Sequence, residues 1–253
     1  MKPGPIHILL LAAVGCSNEP APITPTEFFQ QRAEATCSAI SSACLITESG
    51  CIAGRVADYM AEYQDQLSKL RDFVPANAEA CLRKVRDVYG KIDQGAVALK
   101  ANDYNAMEDV CARVYRGTKS ANESCAFDAD CTDDLICDKG FCGIAKIVAP
   151  GAGCANIGET CPQGSYCSAG TGVWFCTPKA PTQTDCTLSP CLETLRCAAG
   201  ICVARLGVGE PCASSEDCAS TFCEPYAGRC ADDIRFANGS AACIAMSANV
   251  LAP

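Results

Sequence analysis

Histidine is almost missing from this chain. The 253 residues carry one, His7, and it falls in the apolar leader described below. Without histidine the remainder has no Ser-His-Asp or Cys-His nucleophile pair, no imidazole general base and none of the usual histidine zinc ligands. Long apolar segments are missing too: the run Ile8–Val14 is far too short to cross a bilayer as a helix. Basic charge is in deficit. Loss of Lys2 with the leader leaves 19 basic residues against 29 acidic, a net charge of −10, which repels a phosphate backbone and argues against a nucleic-acid partner. Closely spaced cysteine pairs are absent as well. No two cysteines have fewer than four residues between them, whereas structural zinc sites want pairs two to four apart. The sequence implies no cofactor and no metal.

What the chain has is cysteine, 23 in all. Sixteen of them form four groups of four: Cys125, Cys131, Cys137 and Cys142; Cys154, Cys161, Cys167 and Cys176; Cys186, Cys191, Cys197 and Cys202; Cys212, Cys218, Cys223 and Cys230. The period near thirty residues is a repeat whose shared unit is a cysteine frame rather than an apolar stripe. Cysteine at this density implies disulfides and an oxidising compartment. Gly151-Ala152-Gly153 and Gly207-Val208-Gly209 lead into the second and fourth groups and read as turns between compact units. Spacing alone allows three pairings within each group.

The runs CAFDADCTDDLICDKGFC and CASSEDCASTFCEPYAGRC resemble the N-terminal cysteine-rich repeat of Dickkopf proteins. They are similar also to bacterial lipoproteins of the myxobacterial type that carry such repeats. The resemblance covers residues 118–235, about half the chain. It implies that in each group the first cysteine pairs with the third and the second with the fourth: Cys125–Cys137, Cys131–Cys142, Cys154–Cys167, Cys161–Cys176, Cys186–Cys197, Cys191–Cys202, Cys212–Cys223 and Cys218–Cys230.

The N-terminus, MKPGPIHILLLAAVGC, has a basic residue, an apolar stretch and then Ala13-Val14-Gly15-Cys16. It resembles a bacterial lipobox, which implies a signal peptide over 1–15 and a diacylated Cys16. Ser17 after the cysteine implies, by the same resemblance, the outer membrane. Ordinary secretion is the competing reading, because Ala13 and Gly15 also suit a general signal peptidase. Removing Cys16 leaves 22 cysteines, an even number. Residues 16–25 then form the lipidated N-terminus and a Pro-rich tether.

Residues 26–117 read as an α-helical domain, with many alanines and 3.6-residue periodicity. Thr24-Pro25-Thr26-Glu27 is a capping-box pattern. Phe29, Ala33, Cys37, Ile40 and Cys44 share one helical face, and Ile52, Val56, Tyr59, Met60, Tyr63, Leu67 and Leu70 mark a second helix that Pro75 ends. Asn77 caps a third helix carrying Cys81, Leu82, Val85, Val88 and Tyr89. Asn102 or Asp103 caps a fourth carrying Met107, Val110, Cys111, Val114 and Tyr115, with Gly117 as its stop.

The expected fold class is therefore a small α-helical bundle followed by tandem disulfide-rich repeats of loops and short β-hairpins. The repeats occupy 118–145, 146–180, 181–205 and 206–235, and 236–253 is a C-terminal tail or a truncated fifth repeat. The five cysteines of the helical part leave one over. Either Cys243 bridges back to the helices, or it opens the truncated repeat and leaves free thiols.

Of the remaining motifs, Asp128-Ala129-Asp130 and Asp133-Asp134 lack the ligand spacing of a calcium loop and read as a solvated loop face. Trp174, in the long Cys167–Cys176 loop, either anchors a partner or covers that repeat's small core. The functional expectation is a non-enzymatic cell-envelope lipoprotein, held to the membrane by its lipid. Its repeats bind an envelope protein or glycan or act as a scaffold. The alternative is a carboxylate-dependent secreted hydrolase.

Overall fold

The computed structural model describes residues 21–93, 98–132, 134–169 and 172–248. The leader, the proposed lipid site Cys16, Ser17 and Asp133 lie outside these residues. The first described element is helix α1 (Pro25–Cys44), followed by α2 (Glu48–Ser68), strand β1 (Arg71–Phe73), α3 (Pro75–Asp93), β2 (Ala98–Lys100), α4 (Ala101–Cys111) and β3 (Tyr115–Gly117). Short strands follow: β4 (Leu135–Asp138), β5 (Phe141–Ile144), β6 (Lys146–Ile147), β7 (Glu159–Thr160), β8 (Ser165–Ala169) and β9 (Trp174–Pro178), with β6 and β7 paired in parallel and the others in hairpins. Then come β10 (Leu195–Ala198), β11 (Ile201–Ala204), β12 (Cys223–Glu224), β13 (Arg229–Cys230), β14 (Asp233–Arg235) and α5 (Ala241–Ala248). The fold is a helical half followed by disulfide-rich hairpin repeats.

Helix α1 starts where its sequence dictates. The Thr24 hydroxyl accepts from the Glu27 amide and the Glu27 carboxylate accepts from the Thr24 amide, so two otherwise unpaired donors are satisfied reciprocally. Its periodic face, Phe29, Ala33, Cys37, Ile40 and Cys44, is buried. Phe28 and Phe29 open an aromatic cluster with Tyr63, Phe73 and Tyr115, in which neighbouring centroids lie 5.6–6.5 Å apart. Such pairs add about 0.5–1.5 kcal/mol each beyond area burial. Disulfides Cys37–Cys51 and Cys81–Cys111 staple α1 to α2 and α3 to α4.

Several sequence readings of the helices are corrected. Pro75 does not end α2. It opens α3, where a missing N–H costs nothing. Asn77 lies inside α3, and its amide donates to the Arg113 carbonyl. Lys100, not Asn102 or Asp103, precedes α4, because β2 runs straight into the helix. Gly117 does not stop α4, which ends at Cys111 and passes through a 3-10 turn into β3. On α2, Tyr59 is buried but Met60 and Leu67 are exposed, and Leu70 follows the helix exposed in the left-handed region (φ 57°). Only the α1-facing part of that stripe is core.

The strands of the helical half are short and non-local. β1 pairs antiparallel with β3, and β2 pairs antiparallel with β14 in the register Leu99↔Ile234. Leu99 and Ile234 are both fully buried, as is Phe222 of the fourth repeat, and Phe236 beyond it is buried too. These residues, with Ala242, Cys243 and Met246 of α5, belong to the same core as the helices. Through Met246, the described segment after Cys230 therefore packs on the helices. It returns to the bundle, and Cys243 is bonded to Cys44. No described residue of the second or third repeat enters this core. The repeat tract leaves the bundle at β3 and rejoins it at the fourth repeat, forming an arch fixed at both ends.

Candidate binding surface

Each repeat is built by the same local rules. The structure joins Cys125 to Cys137, Cys131 to Cys142, Cys154 to Cys167 and Cys161 to Cys176. It joins Cys186 to Cys197, Cys191 to Cys202, Cys212 to Cys223 and Cys218 to Cys230. In the first and third repeats the hairpin turns on Lys139-Gly140 and Ala199-Gly200, all four residues at positive φ, the geometry that two-residue hairpin loops require. The amide of the first cysteine donates to the residue two before the fourth: Cys125 to Gly140, Cys154 to Trp174, Cys186 to Gly200 and Cys212 to Gly228. The amide of the fourth cysteine donates back to the residue two before the first: Glu123, Ala152, Thr184 and Glu210.

Those bonds orient the strand that holds the fourth cysteine. Cys142, Cys176, Cys202 and Cys230 point inward and are buried. Neighbours along a strand face the other way, so the residue before each fourth cysteine faces out. These residues are Phe141, Phe175, Ile201 and Arg229. The three apolar ones are 43%, 45% and 40% exposed. Ile144, Ile147, Trp174 and Leu188 add further exposed apolar surface on the first three repeats. Trp174 stands at the start of β9 opposite Ala169 and is exposed rather than covering a core.

Joints between units are polar and tight. A Cβ on Gly117 would collide with the Asp130 backbone carbonyl, and one on Gly158 (φ 83°) would collide with that of Ile144. Lys119, Ala180 and Leu206 each form a parallel bridge with the second cysteine of the unit that follows, and the pairing of β6 with β7 does the same work in the second repeat. Lys179 bonds the Glu193 carboxylate at 2.8 Å, and the Gly164 amide donates to it at 2.9 Å. The Lys179 bond and then the Gly164 bond pull the Glu193 carboxyl down to about 2.

Asp130 corrects another sequence reading. It is not on a solvated loop face but buried, taking the Arg71 guanidinium on Oδ1 at 2.9 Å and the Ala126 and Phe127 amides on Oδ2. Burial alone would raise its carboxyl. The Ala126 amide, Arg71 and the Phe127 amide overcome that and hold it low. Asp217 occupies the same position in the fourth repeat and accepts from the Ala213 and Ser214 amides. The signal was in the sequence: an aspartate directly before the second cysteine in both units. Asp128 accepts from the Cys137 amide. These carboxylates are committed to the backbone. The donor clusters with metal-like spacing among the described residues are the disulfide cysteines themselves.

Between β3, the helices and the first repeat lies a groove of about 850 Å³, lined by Asp72, Asp109, Asp134, Arg113, Arg116 and Leu135 among others. No described helix is long and apolar enough to cross a membrane.

No family model matches the chain, and no solved structure matches it. Over 109 residues, 42% of this chain, it is 38% identical to Disintegrin and metalloproteinase domain-containing protein 15 of Mus musculus, in a stretch that is 11% of that protein. The identity and coverage are the same for the protein of that name from Rattus norvegicus. Over 119 residues, 45% of the chain, it is 27% identical to Cell-cell adhesion glycoprotein 64 of Heterostelium pallidum, covering 36% of that protein. The chain therefore spans only a minor part of each relative's length.

Proposed function

We propose that this is an extracytoplasmic, non-enzymatic binding protein that offers the outer face of its repeat arch to a protein partner, with the helical bundle as its base. One observation carries the reading: the same position, directly before the fourth cysteine, is an exposed Phe141, Phe175 and Ile201 in three successive units. A repeated apolar position on a rigid frame presents contact area at low entropic cost. Exposed apolar surface of this kind is the usual mark of a contact face. The disulfide density fits an oxidising compartment, and the similarity to a cell-cell adhesion glycoprotein leans the same way. The lipobox-like sequence before Cys16 completes the proposal as a lipid anchor that places the arch at the cell envelope, on the outer membrane, as in the Dickkopf-like bacterial lipoproteins that the repeats resemble.

The test is adhesion of beads coated with the purified chain to envelope preparations. The triple variant Phe141→Ser, Phe175→Ser, Ile201→Ser is compared with wild type after mass spectrometry shows the disulfides intact. Adhesion should fall at least about tenfold if the three side chains supply a few kcal/mol of contact energy. Equal adhesion of both proteins rejects the face. A hydrolase activity that copurifies with the chain and is lost on changing one carboxylate rejects the non-enzymatic reading.

A further inference from the structure

Asn238-Gly239 is the single Asn-Gly pair in the chain. It lies in the connection between β14 and α5, in a four-residue turn that the Ser240 amide closes by donating to the Ala237 carbonyl at 2.8 Å. Gly239 takes φ 81°, a conformation that such turns reserve for residues without a Cβ. Both residues of the pair are exposed. The Asn238 carboxamide and the Gly239 backbone amide form no hydrogen bond with a described residue. Other asparagines are held differently. The Asn77 carboxamide donates to the Arg113 carbonyl, and the amide that follows it, of Ala78, donates to the Val74 carbonyl. The amide that follows Asn122 belongs to Glu123 and donates to the Ser120 carbonyl at 3.1 Å. Asn238 thus combines an unengaged carboxamide with an unengaged neighbouring nitrogen that no side chain screens.

We propose that Asn238 is a site of spontaneous deamidation whose isoaspartyl product loosens the footing of the arch. The Gly239 nitrogen loses its proton and bonds to the side-chain carbonyl carbon of Asn238. The carbon–nitrogen bond of the carboxamide breaks, ammonia leaves, and a five-membered succinimide remains. Water then opens the ring at either carbonyl. One opening gives aspartate, and the other gives isoaspartate, in which the main chain runs through the side-chain methylene. One water is consumed and one ammonia released, with no oxidant or reductant. The turn lies between fixed anchors: Phe236 before it is buried, as are Ala242 and Cys243 after it, and Cys243 is bonded to Cys44. Ser240 carries the effect. Its hydroxyl accepts from the Ala237 amide at 3.3 Å and from the Cys243 amide at 3.2 Å, the second bond being an N-cap for α5. An extra backbone atom between Ala237 and Ser240 takes these partners out of register, so the first turn of α5 loosens while the disulfide retains the helix. The aspartyl product keeps the backbone length and sets a carboxylate near the positive end of α5, so it leaves the cap in place.

The full chain is incubated in mildly alkaline buffer, then reduced and cleaved with trypsin, and peptide fragmentation locates acid in place of amide. Asn238 should convert at least several-fold faster than Asn77 and Asn122, and faster as pH rises, because the attacking nitrogen must lose its proton. Gly239→Ala should slow conversion several-fold, and Asn238→Gln should abolish it at that position. Conversion of Asn238 no faster than that of Asn122 overturns the site. Hydrogen exchange is then measured on the isoaspartyl fraction and on Asn238→Asp, which carries the same charge on an unaltered backbone. The Cys243 amide should exchange several-fold faster in the fraction than in the variant, and equal exchange overturns the effect on α5. If Gly239→Ala does not fold by circular dichroism, Asn238→Gln and the comparison with Asn122 decide.

Discussion

Cys44, the last residue of the first helix, is bonded to Cys243 in the last helix across a sequence separation of 199 residues. Both cysteines are buried in the main core. The bond therefore closes the arch covalently at the point where the returning segment already packs.

Replacing both Cys44 and Cys243 by serine should remove a cross-link worth about 5 kcal/mol in the chain-entropy model for a loop of this length. The loss should be smaller in practice, because the internal disulfides already shorten the loop that this bond closes. Hydrogen exchange should rise over β14 and α5 while the amides of the first three repeats stay protected. Uniform exchange across the chain would contradict an arch whose end is clasped separately.

Arg71→Met should cost about 3–5 kcal/mol in urea unfolding, since it leaves the buried Asp130 carboxylate without its ion-pair partner. The exposed pair Arg113–Asp109 provides the contrast, and Arg113→Met should shift stability by less than about 1 kcal/mol. Similar effects of the two changes would show that the joint between bundle and first repeat does not depend on the buried pair.

Gly117→Ala should destabilise that same joint. The added Cβ meets backbone, not a movable side chain, so the first repeat must shift away from β3. Proteolytic cleavage between residues 117 and 125 is the readout, and unchanged resistance would count against the close approach.

Stability should fall in acid. Glu193, Asp130 and Asp217 all have carboxyls held below their ordinary values. A group lowered in the folded state stabilises above its unfolded value, near 4. That contribution is lost as pH drops through the folded value, about 2 for Glu193. Urea midpoints should decline between about pH 4 and pH 2, and Glu193→Gln should flatten part of that decline. Because Glu193 is a third exposed on its side chain, its share is small. A midpoint independent of pH over that range would refute the assignment.

The anchor is tested by detergent phase partitioning, with wild type expected in the detergent phase and Cys16→Ser in the aqueous phase. Each buried methylene contributes about 0.8 kcal/mol, so two or three acyl chains hold firmly. Identical partitioning would leave ordinary secretion.

The helix faces were readable because α1 and α3 repeat apolar residues at helical spacing, and a capping box is a local signal. The fourfold cysteine frame was readable for the same reason, although which cysteine meets which came only from resemblance. What could not be read is non-local. Lys100 and Asp233 meet across 133 residues, and the strands around them have three residues each, too few to declare a register. Pro75 was misread because proline is compatible with both a stop and a first turn, and only tertiary context chooses. Asp130 looked like surface because its partner Arg71 is distant in sequence. A small cavity beside Arg32 draws on six separate segments, none of which has a motif.

The Cys44–Cys243 bond has a mechanical consequence. A force applied between Pro25 and Ala248 passes from α1 to α5 through one covalent link and bypasses the repeats between them. The arch can then be neither unravelled nor lengthened by tension between α1 and α5. It stretches only when something pulls on the repeats themselves, and such a pull is shared between two footings instead of peeling the units off one by one.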